Sequence, residues 1–270
     1  MIGICTDSSA QLPAALAQRY AIEVVPLTVT VDGIDHLDGV DLDADMFYAK
    51  FLGGVCPTVT TSQPSPGQFA VAYEDLAARG CTEILSIHGS SAVSGAINAA
   101  RLAAHSVPTP VRLADSGTAG IGVSCCVWAA ATAIAEGASI DGAALIAEQL
   151  APSIGNVFIT GALTRLHDGA GMQVMSMHDG QVKVVQRAAT TLDAISAMAH
   201  HTLRGGERLR VAVGHSDAAT APLADALEEA LGEAAGVLAV VRYRIGPSND
   251  AHIAPGTIGC VMFPASPVKS

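Results

Sequence analysis

Hydroxyl and carboxamide side chains are concentrated in residues 58–68, which read Thr-Val-Thr-Thr-Ser-Gln-Pro-Ser-Pro-Gly-Gln. These neutral groups can donate hydrogen bonds to a small polar or anionic ligand. Because Pro64 and Pro66 each fix φ and lack an N–H, we expect a polar loop of fixed shape, neither helix interior nor central strand. Ser65 is predicted to cap a helix, with Pro66 at its first position and Gln68 completing a capping box. An ordinary capped turn explains these residues equally well.

Further hydroxyl groups follow three predicted strands. They lie in residues 6–9 (Thr-Asp-Ser-Ser), 88–95 (His-Gly-Ser-Ser-Ala-Val-Ser-Gly) and 115–118 (Asp-Ser-Gly-Thr). In a parallel sheet these strand ends meet at one edge, which is where open α/β sheets bind ligands. We expect residues 58–68 to reach the same edge. Helix capping alone would also favour Ser, Thr and Asp here, but a cap needs one hydroxyl and these segments supply several.

The charge of these segments narrows the class of ligand. None of them contains Lys or Arg, so a doubly charged phosphate would lack a countercharge. A single carboxylate, by contrast, can be held by two or three hydroxyl and amide donors. Half of the residues are apolar, and a carboxylate with a long apolar tail would suit a pocket lined mainly by such side chains.

Several familiar motifs are absent from the sequence. It contains no G-x-x-x-x-G-K-[ST] phosphate loop and no G-x-S-x-G nucleophile elbow. Gly117, Gly120 and Gly122 have the wrong spacing for a dinucleotide fingerprint. His200 and His201 are adjacent on a predicted helix and cannot share a face, so we predict no metal site.

An enzymatic function stays open as an alternative. Ser94, His252 and Asp115 supply the residue types of a hydrolase triad, although nothing in their spacing shows that they converge. A small-molecule phosphotransferase is the other enzymatic alternative. Either enzyme would turn over substrate by itself, whereas a binding protein would not.

The order of predicted elements indicates an α/β fold in two domains. Strands alternate with helices in residues 1–151, which predicts a first domain with a parallel sheet. Residues 152–270 are richer in strands and contain an Asp179-Gly180 turn signal. We therefore predict a second, α+β domain with a mixed or antiparallel sheet.

Three local predictions bear on the first half of the chain. Residues 23–31 read as one strand that ends in a tight turn, and residues 42–52 read as a helix. Phe69, Tyr73 and Leu76 recur at helical spacing, which predicts one buried helix face. These elements would position the hydroxyl-rich segments.

Composition limits the partners and the compartment. Asp and Glu number 25 against 14 Lys and Arg, a net charge of −11, which argues against nucleic acid and anionic membrane surfaces. The six cysteines lack disulfide-scaffold spacing and read as reduced core thiols. No signal-peptide pattern is visible, so we expect a cytoplasmic protein. Residues 117–135 are uncharged over about 19 residues, but small residues dominate, which indicates a packed helix rather than a bilayer span.

An ordered set of motifs spans nearly the whole chain. Its members are Thr6-Asp7-Ser8-Ser9, Val25-Pro26-Leu27, Asp38-Gly39, the run at 60–67, Ser90-Ser91 with Ser94-Gly95, Asp115-Ser116 and Pro255-Gly256-Thr257. This set resembles the DegV family. The resemblance implies a two-domain α/β protein without a cofactor that binds one long-chain fatty acid, of roughly C16 to C18 length, in a buried tunnel between the domains. It also implies a carrier that presents the acid to a fatty-acid kinase for acyl-phosphate formation.

The resemblance also implies a head-group site. It places the carboxylate near Thr61, Ser62 and Ser94, with the Gly95 amide as a further donor. The family usually has Thr where this chain has Ala96. One head-group hydroxyl of the family pattern is therefore missing.

Two further residues match family positions near the mouth that faces the kinase. His252 matches a histidine that also lies near the head group, and Arg187 matches an arginine on the same face. Met172 stands where the family has Arg, residues 172–182 are shorter than usual, and Ala254 replaces a usual Gly. These departures weaken the implied kinase docking and leave open a regulatory module that senses lipid without a kinase.

Overall fold

The protein divides into two compact units, each built from two separate stretches of chain. The first unit comprises Met1–Asp43 and Thr58–Pro152, and the second comprises Ala44–Pro57 and Ser153–Ser270. The computed structural model describes residues 1–161, 171–178, 181–206, 208–249 and 255–265.

Regular elements in the described residues are numbered here in chain order. The strands are β1 Ile2–Asp7, β2 Glu23–Val25, β3 Thr28–Val31, β4 Ile34–Leu37, β5 Val59–Ser62, β6 Glu83–His88, β7 Val111–Asp115, β8 Gly155–Ile159, β9 Met172–His178, β10 Gln181–Ala188, β11 Leu209–His215, β12 Val237–Arg244 and β13 Ile258–Pro264. The α-helices are α1 Ala14–Arg19, α2 Ala44–Ala49, α3 Pro66–Ala78, α4 Ala96–Ala104, α5 Ile121–Ala135, α6 Ile140–Gln149, α7 Thr191–Leu203 and α8 Ala221–Gly232.

A four-stranded parallel sheet forms the centre of the first unit. Its strand order is β2-β1-β6-β7, and every neighbouring pair is parallel, as predicted. Beyond their first residues β1 and β6 are buried throughout, as expected for a sheet covered by helices. From β1 the chain first adds β2 on one side and later β6 on the other. The strand order therefore reverses between β1 and β6, and open α/β sheets bind ligands outside such a reversal.

Helix α3 packs one apolar face against this sheet. Phe69, Tyr73 and Leu76 are at most 1% exposed, which confirms the predicted buried face. They lie in a cluster with Ile84 of β6 and Ala100 of α4. The cluster fixes the ends of the helices relative to the sheet edge where the hydroxyl-rich segments lie.

A separate three-stranded antiparallel sheet corrects two sequence predictions. The stretch 23–31 is not one strand, because Pro26 has no N–H with which to continue the ladder. β2 ends before it and joins the parallel sheet, whereas β3 pairs with β4 and β5 in the order β4-β3-β5. The first part of the segment 58–68 is likewise an edge strand, β5, rather than a loop.

The segment 44–57 groups with the second unit, although the predicted boundary placed it in the first domain. Asp45 receives two hydrogen bonds from Arg244, at 3.1 and 2.6 Å, which connect α2 to β12. Phe47, Tyr48 and Phe51 pack together with ring centroids 5.1 to 6.1 Å apart. Helix α2 is shorter than predicted.

A six-stranded mixed sheet forms the second unit. Its order is β10-β9-β8-β13-β11-β12, with β11 and β12 parallel and the other pairs antiparallel, which agrees with the predicted mixed sheet. Helices α7 and α8 pack against it and close an apolar core. The predicted hairpin is supported by the pairing of Gln181 with His178, whereas the turn itself lies outside the described residues.

Two helices of the first unit complete the fold. Helix α5 occupies most of the uncharged stretch 117–135, and Cys125 and Cys126 are buried within it. In the part of the chain that the structure describes, no helix reaches the length and apolarity that bilayer crossing requires. Helix α6, which was not predicted from the sequence, is capped by Ser139, whose side chain accepts a hydrogen bond from Gly142 N at 3.2 Å.

Candidate functional site

Backbone hydrogen bonds connect the segments that follow β6 and β7, and β1 lies beside β6 as its parallel neighbour in the sheet. Ser116 N donates to His88 O at 3.0 Å, and Ser90 N donates to Thr118 O at 2.8 Å. These bonds bring the strand ends together at the carboxyl edge of the parallel sheet. The structure thus confirms that the hydroxyl-rich segments after these strands share one edge.

The segment 58–68 reaches the same edge. Ser65 caps α3: its side chain accepts from Gln68 N at 3.3 Å, while Ser65 N donates to Gln68 Oε1 at 2.9 Å. With Pro66 in the first turn, this is the predicted capping box. The carboxamide of Gln63 lies against Gly95, so closely that a Cβ at Gly95 would collide with it. The residues before α3 therefore lie beside the beginning of α4.

The predicted head-group donors occupy two elements of this edge. Thr61 and Ser62 are exposed on β5, opposite Val29 and Thr28 of β3. Ser94 is half-buried just before α4, and its hydroxyl accepts a hydrogen bond from Ala96 N at 3.2 Å. A hydroxyl that accepts in this way keeps its own proton available for a ligand.

The residues after β1 are held by side-chain contacts. Ser8 Oγ accepts from Leu27 N at 3.0 Å, which connects the end of β1 to the residues after β2. Asp7 Oδ1 accepts from Ser9 N at 3.1 Å and from the Ser9 hydroxyl. Asp7 is therefore a local acceptor for its own turn as well as part of a longer network.

A buried hydrogen-bonded chain lies directly beneath this edge. His88 Nδ1 is 2.6 Å from Asp7 Oδ2, and His88 Nε2 is 2.7 Å from Ser86 Oγ. Ser86 Oγ is in turn 2.9 Å from the hydroxyl of Tyr73, and the ring of Phe69 meets His88 edge-on. Tyr73, Ser86 and His88 are fully buried, and Asp7 is 1% exposed.

The environment keeps the Asp7 carboxyl ionised. Burial opposes ionisation, but hydrogen bonds from His88 and Ser9, together with the charge interaction with His88, hold the pKa of Asp7 below its usual value. The Asp7–His88–Ser86 order resembles that of a hydrolase triad. Ser86, however, is inaccessible and bonded to Tyr73, so it cannot reach a substrate as a nucleophile.

This chain of polar groups was not predicted, although the sequence contains a signal for it. Asp7 and His88 are the last residues of β1 and β6, which are neighbours in the sheet. Two titratable residues at the ends of adjacent parallel strands lie at equivalent depth. Their shared position at the ends of adjacent strands predicts the pair, whereas their separation of 81 residues in the sequence does not.

Two members of the hydrolase triad considered from the sequence, Asp115 and Ser94, make local hydrogen bonds in the structure. The Asp115 carboxylate accepts from Ser91 N at 3.1 Å and Gly117 N at 2.9 Å. Burial opposes its ionisation, yet these bonds hold the pKa of Asp115 below its usual value. Ser94 bonds within its own turn, and His252 lies outside the described residues.

Arg187 lies on the second unit. It is exposed on the edge strand β10 and borders a groove of about 520 Å³ between β10 and α7. Asp193, Ser196 and His200 of α7 line the other wall. Met172, at the position where a family arginine was expected, is 1% exposed in the core and offers no surface charge.

Metal-binding and thiol chemistry find little support in the described ranges. These ranges contain no group of three or more His, Cys, Asp or Glu side chains that could hold a metal ion.

Five of the six cysteines are buried, but Cys56 is exposed and departs from the expected core thiols. Burial raises the pKa of Cys126 and Cys260 to about 12, so these thiols are protonated near neutral pH.

The sequence matches one protein family. The model of the DegV family, described as "Uncharacterised protein, DegV family", matches residues 1–171. A DegV domain-containing protein of Streptomyces coelicolor is 30% identical over 280 residues, which cover 97% of this chain and 98% of the relative. A DegV domain-containing protein of Mycobacterium bovis is also 30% identical, over 98% of both chains.

Solved structures show the same architecture. The fold is similar to that of a DegV family protein from Thermus thermophilus described by its fatty acid binding, with a TM-score of 0.78 and 27% identity. That match covers 97% of this chain and 99% of the other. DegV of Bacillus subtilis, described as a fatty acid binding protein, has a TM-score of 0.75 at 22% identity over 97% and 98% of the two chains; at this identity the likeness shows the fold alone.

Proposed function

The chain belongs to the DegV family, and on that premise we propose that it is a non-catalytic carrier that binds one long-chain fatty acid. The observation that carries the proposal is the sheet edge at the strand-order reversal, where hydroxyl groups gather without a Lys or Arg in the strand-end segments. The relative from Thermus thermophilus, whose description is fatty acid binding, supports the same ligand class.

The head group is held by neutral donors. The hydroxyl groups of Thr61, Ser62 and Ser94 donate hydrogen bonds to the carboxylate, and the Gly95 amide is a fourth donor. The contact of Gln63 with Gly95 supports this grouping, because it brings the two donor-bearing segments side by side. Each hydrogen bond to an ionised carboxylate contributes about 1.5–3 kcal/mol. Three or four such donors hold a monoanion at an edge whose strand-end segments contain no Lys or Arg.

The acyl tail, of roughly C16 to C18 length, lies in a buried tunnel lined by aliphatic side chains. Half of the residues are apolar while aromatic residues make up 4%, so flexible Ala, Val, Leu, Ile and Met side chains supply the lining. An unbranched alkyl chain suits such a surface because each buried methylene contributes about 0.8 kcal/mol. The tail and the hydroxyl groups therefore both contribute to the affinity, and the hydroxyl groups also fix the orientation of the acid.

The carrier presents its carboxylate to a fatty-acid kinase, which forms the acyl phosphate. Arg187 and His252 contact the kinase, and the exposure of Arg187 on an edge strand supports its part in docking. The burial of Met172 leaves fewer positive charges on this face than in the family pattern. A lipid sensor without a kinase would bind the same acid but would not stimulate ATP turnover when a cognate kinase is added.

Denaturing extraction of the protein purified from a bacterial host, followed by mass spectrometry, tests the ligand. We expect one C16 to C18 fatty acid per chain, and a rise in melting temperature when oleate is added to delipidated protein. Recovery of no acid together with an unchanged melting temperature would overturn the proposal. Hydrolysis of a p-nitrophenyl acyl ester by the protein alone, lost in Ser94→Ala, would instead establish the hydrolase.

A further inference from the structure

The buried residues Asp7 and His88 end β1 and β6, the two strands between which the strand order reverses. Open α/β sheets bind ligands in the crevice outside such strand ends. The side chains of Asp7 and His88 are 1% and 0% exposed, and the Nδ1–Oδ2 distance is 2.6 Å. The residues that follow them bear the hydroxyl groups of the sheet edge. A charge on this pair therefore lies next to any anion that occupies the crevice.

The hydrogen-bonded chain satisfies a neutral His88. Tyr73 donates to Ser86 Oγ, Ser86 donates to His88 Nε2, and His88 Nδ1–H donates to Asp7. Every donor then points towards the carboxylate, and the side-chain polar atoms of Tyr73, Ser86, His88 and Asp7 all have partners. In this state the His88–Asp7 pair carries a net charge of about −1.

The same atoms satisfy a cationic His88 when the outer hydroxyl groups rotate. His88 Nε2–H then donates to Ser86 Oγ at 2.7 Å, and Ser86 donates to the Tyr73 hydroxyl at 2.9 Å. Tyr73 donates to the carbonyl of Ala100 at 3.5 Å. The pair now has no net charge. A buried histidine commonly loses a partner in one protonation state, but here the chain reverses and none is lost.

The other groups around His88 do not supply the missing charge. Cys5 of β1 and Tyr73 of α3 stay neutral because burial raises the pKa of both. Asp115 of β7 is held by backbone amides, and Arg101 of α4 bonds Asn98. The acids of α6 pair with an arginine of β7, and α5 contains no Asp, Glu, Lys, Arg or His.

We propose that His88 is the charge-compensating residue of the head-group site, which takes up one proton from water at Nε2 when a carboxylate occupies the crevice. This inference rests on the proposed function. An N–H bond forms, one solvent proton is consumed, and the Ser86 and Tyr73 hydroxyl groups rotate. The bound carboxylate then faces a neutral pair instead of a buried anion, which explains how an edge without Lys or Arg can hold an anionic head group.

Coupling of this kind has a measurable sign. The bound anion favours the charged imidazolium, and by reciprocity the imidazolium favours the bound anion. The association constant for oleate therefore falls as pH rises, by up to about tenfold per pH unit, over the range in which the complex binds one proton more than the free protein. Beyond that range the dependence disappears.

Nitrogen NMR of histidine-labelled protein reports the proton directly. With oleate added to delipidated protein near neutral pH, we expect the Nε2 resonance of His88 to change from that of an unprotonated to that of a protonated nitrogen. His88→Gln identifies the resonance by its loss, and calorimetry in two buffers of different ionisation enthalpy counts the protons taken up per oleate. If the Asp7–His88 pair has only a structural role, oleate changes neither the Nε2 resonance nor the number of protons bound.

Tyr73→Phe isolates the proposal from folding. It removes the acceptor that Ser86 needs when His88 is charged, leaving the weakly accepting Cys5 sulfur, but it keeps the Ser86 donor to a neutral His88. We expect proton uptake to be lost or strongly reduced, and oleate affinity near neutral pH to fall several-fold. Tyr20→Phe is the matched control, because Tyr20 bonds the hydroxyl of Thr132 at 3.2 Å in the same unit but away from His88.

The outcomes separate this inference from the one on which it rests. Oleate binding with no change at His88, or with proton uptake unaltered in Tyr73→Phe, would overturn the role of His88 while leaving the fatty-acid carrier in place. Failure of oleate to bind in every buffer would overturn both. Proton uptake that is lost in Tyr73→Phe and kept in Tyr20→Phe would establish the coupling.

Discussion

Two histidines end strands of the two larger sheets, and the charges that surround them differ in sign. His88 ends β6 beside the carboxylate of Asp7. His215 ends β11, and its Nδ1 is 3.0 Å from a guanidinium nitrogen of Arg242. Burial first, and then the guanidinium groups of Arg244 and Arg242, lower the pKa of His215 to about 4. His215 is therefore neutral near pH 7 and lies beside cations, whereas the side chain beside His88 is a carboxylate.

The two sites differ in whether their hydrogen-bond donors are free to hold a ligand anion. The arginines beside His215 are already paired within the protein: Arg242 contacts Asp225 and Glu228, and Arg244 contacts Asp45. These cations are balanced by acids and fix local structure. The edge above His88 has hydroxyl donors instead. A ligand anion is better served by donors that have no other charge to satisfy.

The largest expected effect comes from removing one member of the buried pair. His88→Ala leaves the Asp7 carboxylate without its main partner in a buried site, so we expect a loss of about 3–5 kcal/mol in the free energy of unfolding. Urea denaturation measures it. Asp7→Asn combined with His88→Gln should cost less than the sum of the single changes, and additive losses would show that the two side chains do not act as a pair.

Ser94→Ala tests the hydroxyl-rich edge itself. Loss of one donor to a charged carboxylate should weaken oleate binding by about 10–100-fold, or ~1.5–3 kcal/mol, as measured by displacement of a fluorescent fatty acid. Ser106→Ala is the matched control, because Ser106 bonds Ala103 O at the opposite end of the same helix. Arg242→Ala should also leave the affinity unchanged, and an equal loss in that variant would contradict the contrast between the two edges.

The pH dependence of stability separates the two histidines. Because the pKa of His215 is lower in the folded protein than in the unfolded chain, the unfolded chain binds the proton first as pH falls. The contribution of His215 to the free energy of unfolding is therefore fully present above about pH 6.5 and is lost as pH drops towards about 4. We expect about 1–2 kcal/mol to be lost over this window, allowing for the part-exposed arginines. His215→Gln should flatten this part of the curve in urea denaturation at several pH values. The lowered pKa of Asp7 places its contribution at more acidic pH.

The smallest effect is expected at the exposed ion pair. Asp45 is held by Arg244, whose hydrogen bonds lower the pKa of its carboxyl, but the Asp45 side chain is 62% exposed. Asp45→Asn should therefore change the free energy of unfolding by about 1 kcal/mol or less. Thermal unfolding in low and high salt measures it, and a larger loss would show that the ion pair anchors α2 as strongly as the aromatic contacts do.

The sequence predicted those features that neighbouring residues determine. The capping box at Ser65 and the buried face of α3 depend on residues three to seven apart, and both are confirmed. The division of the stretch 23–31 was not predicted because it depends on pairing with distant residues. β3 pairs with β4 and β5, and helix α2 lies between those two strands in the sequence. The proposed donors Thr61 and Ser62 were recognised by type, but their place on an edge strand depends on pairing with β3.

The network beneath the site was missed for a different reason. A histidine at a strand end resembles any polar residue there, and its partner Asp7 lies 81 residues earlier. Tyr73 was recognised as an apolar helix position, although its hydroxyl continues the chain. Periodicity identifies which face of an element is buried, but it does not show which buried polar atoms will meet.

Residues 44–57 belong to the second unit although the residues before and after them belong to the first. This arrangement affects the order in which the two units can fold during synthesis. Asp45 and its partner Arg244 are 199 residues apart, so at about 5–20 residues per second α2 leaves the ribosome roughly 10–40 s before β12 exists. The aromatic side chains of Phe47 and Phe51 must wait for their final packing throughout that interval. Most of the first unit can form in the meantime, and a nascent chain paused after residue 152 would carry this segment as an unpacked insertion open to chaperones and proteases.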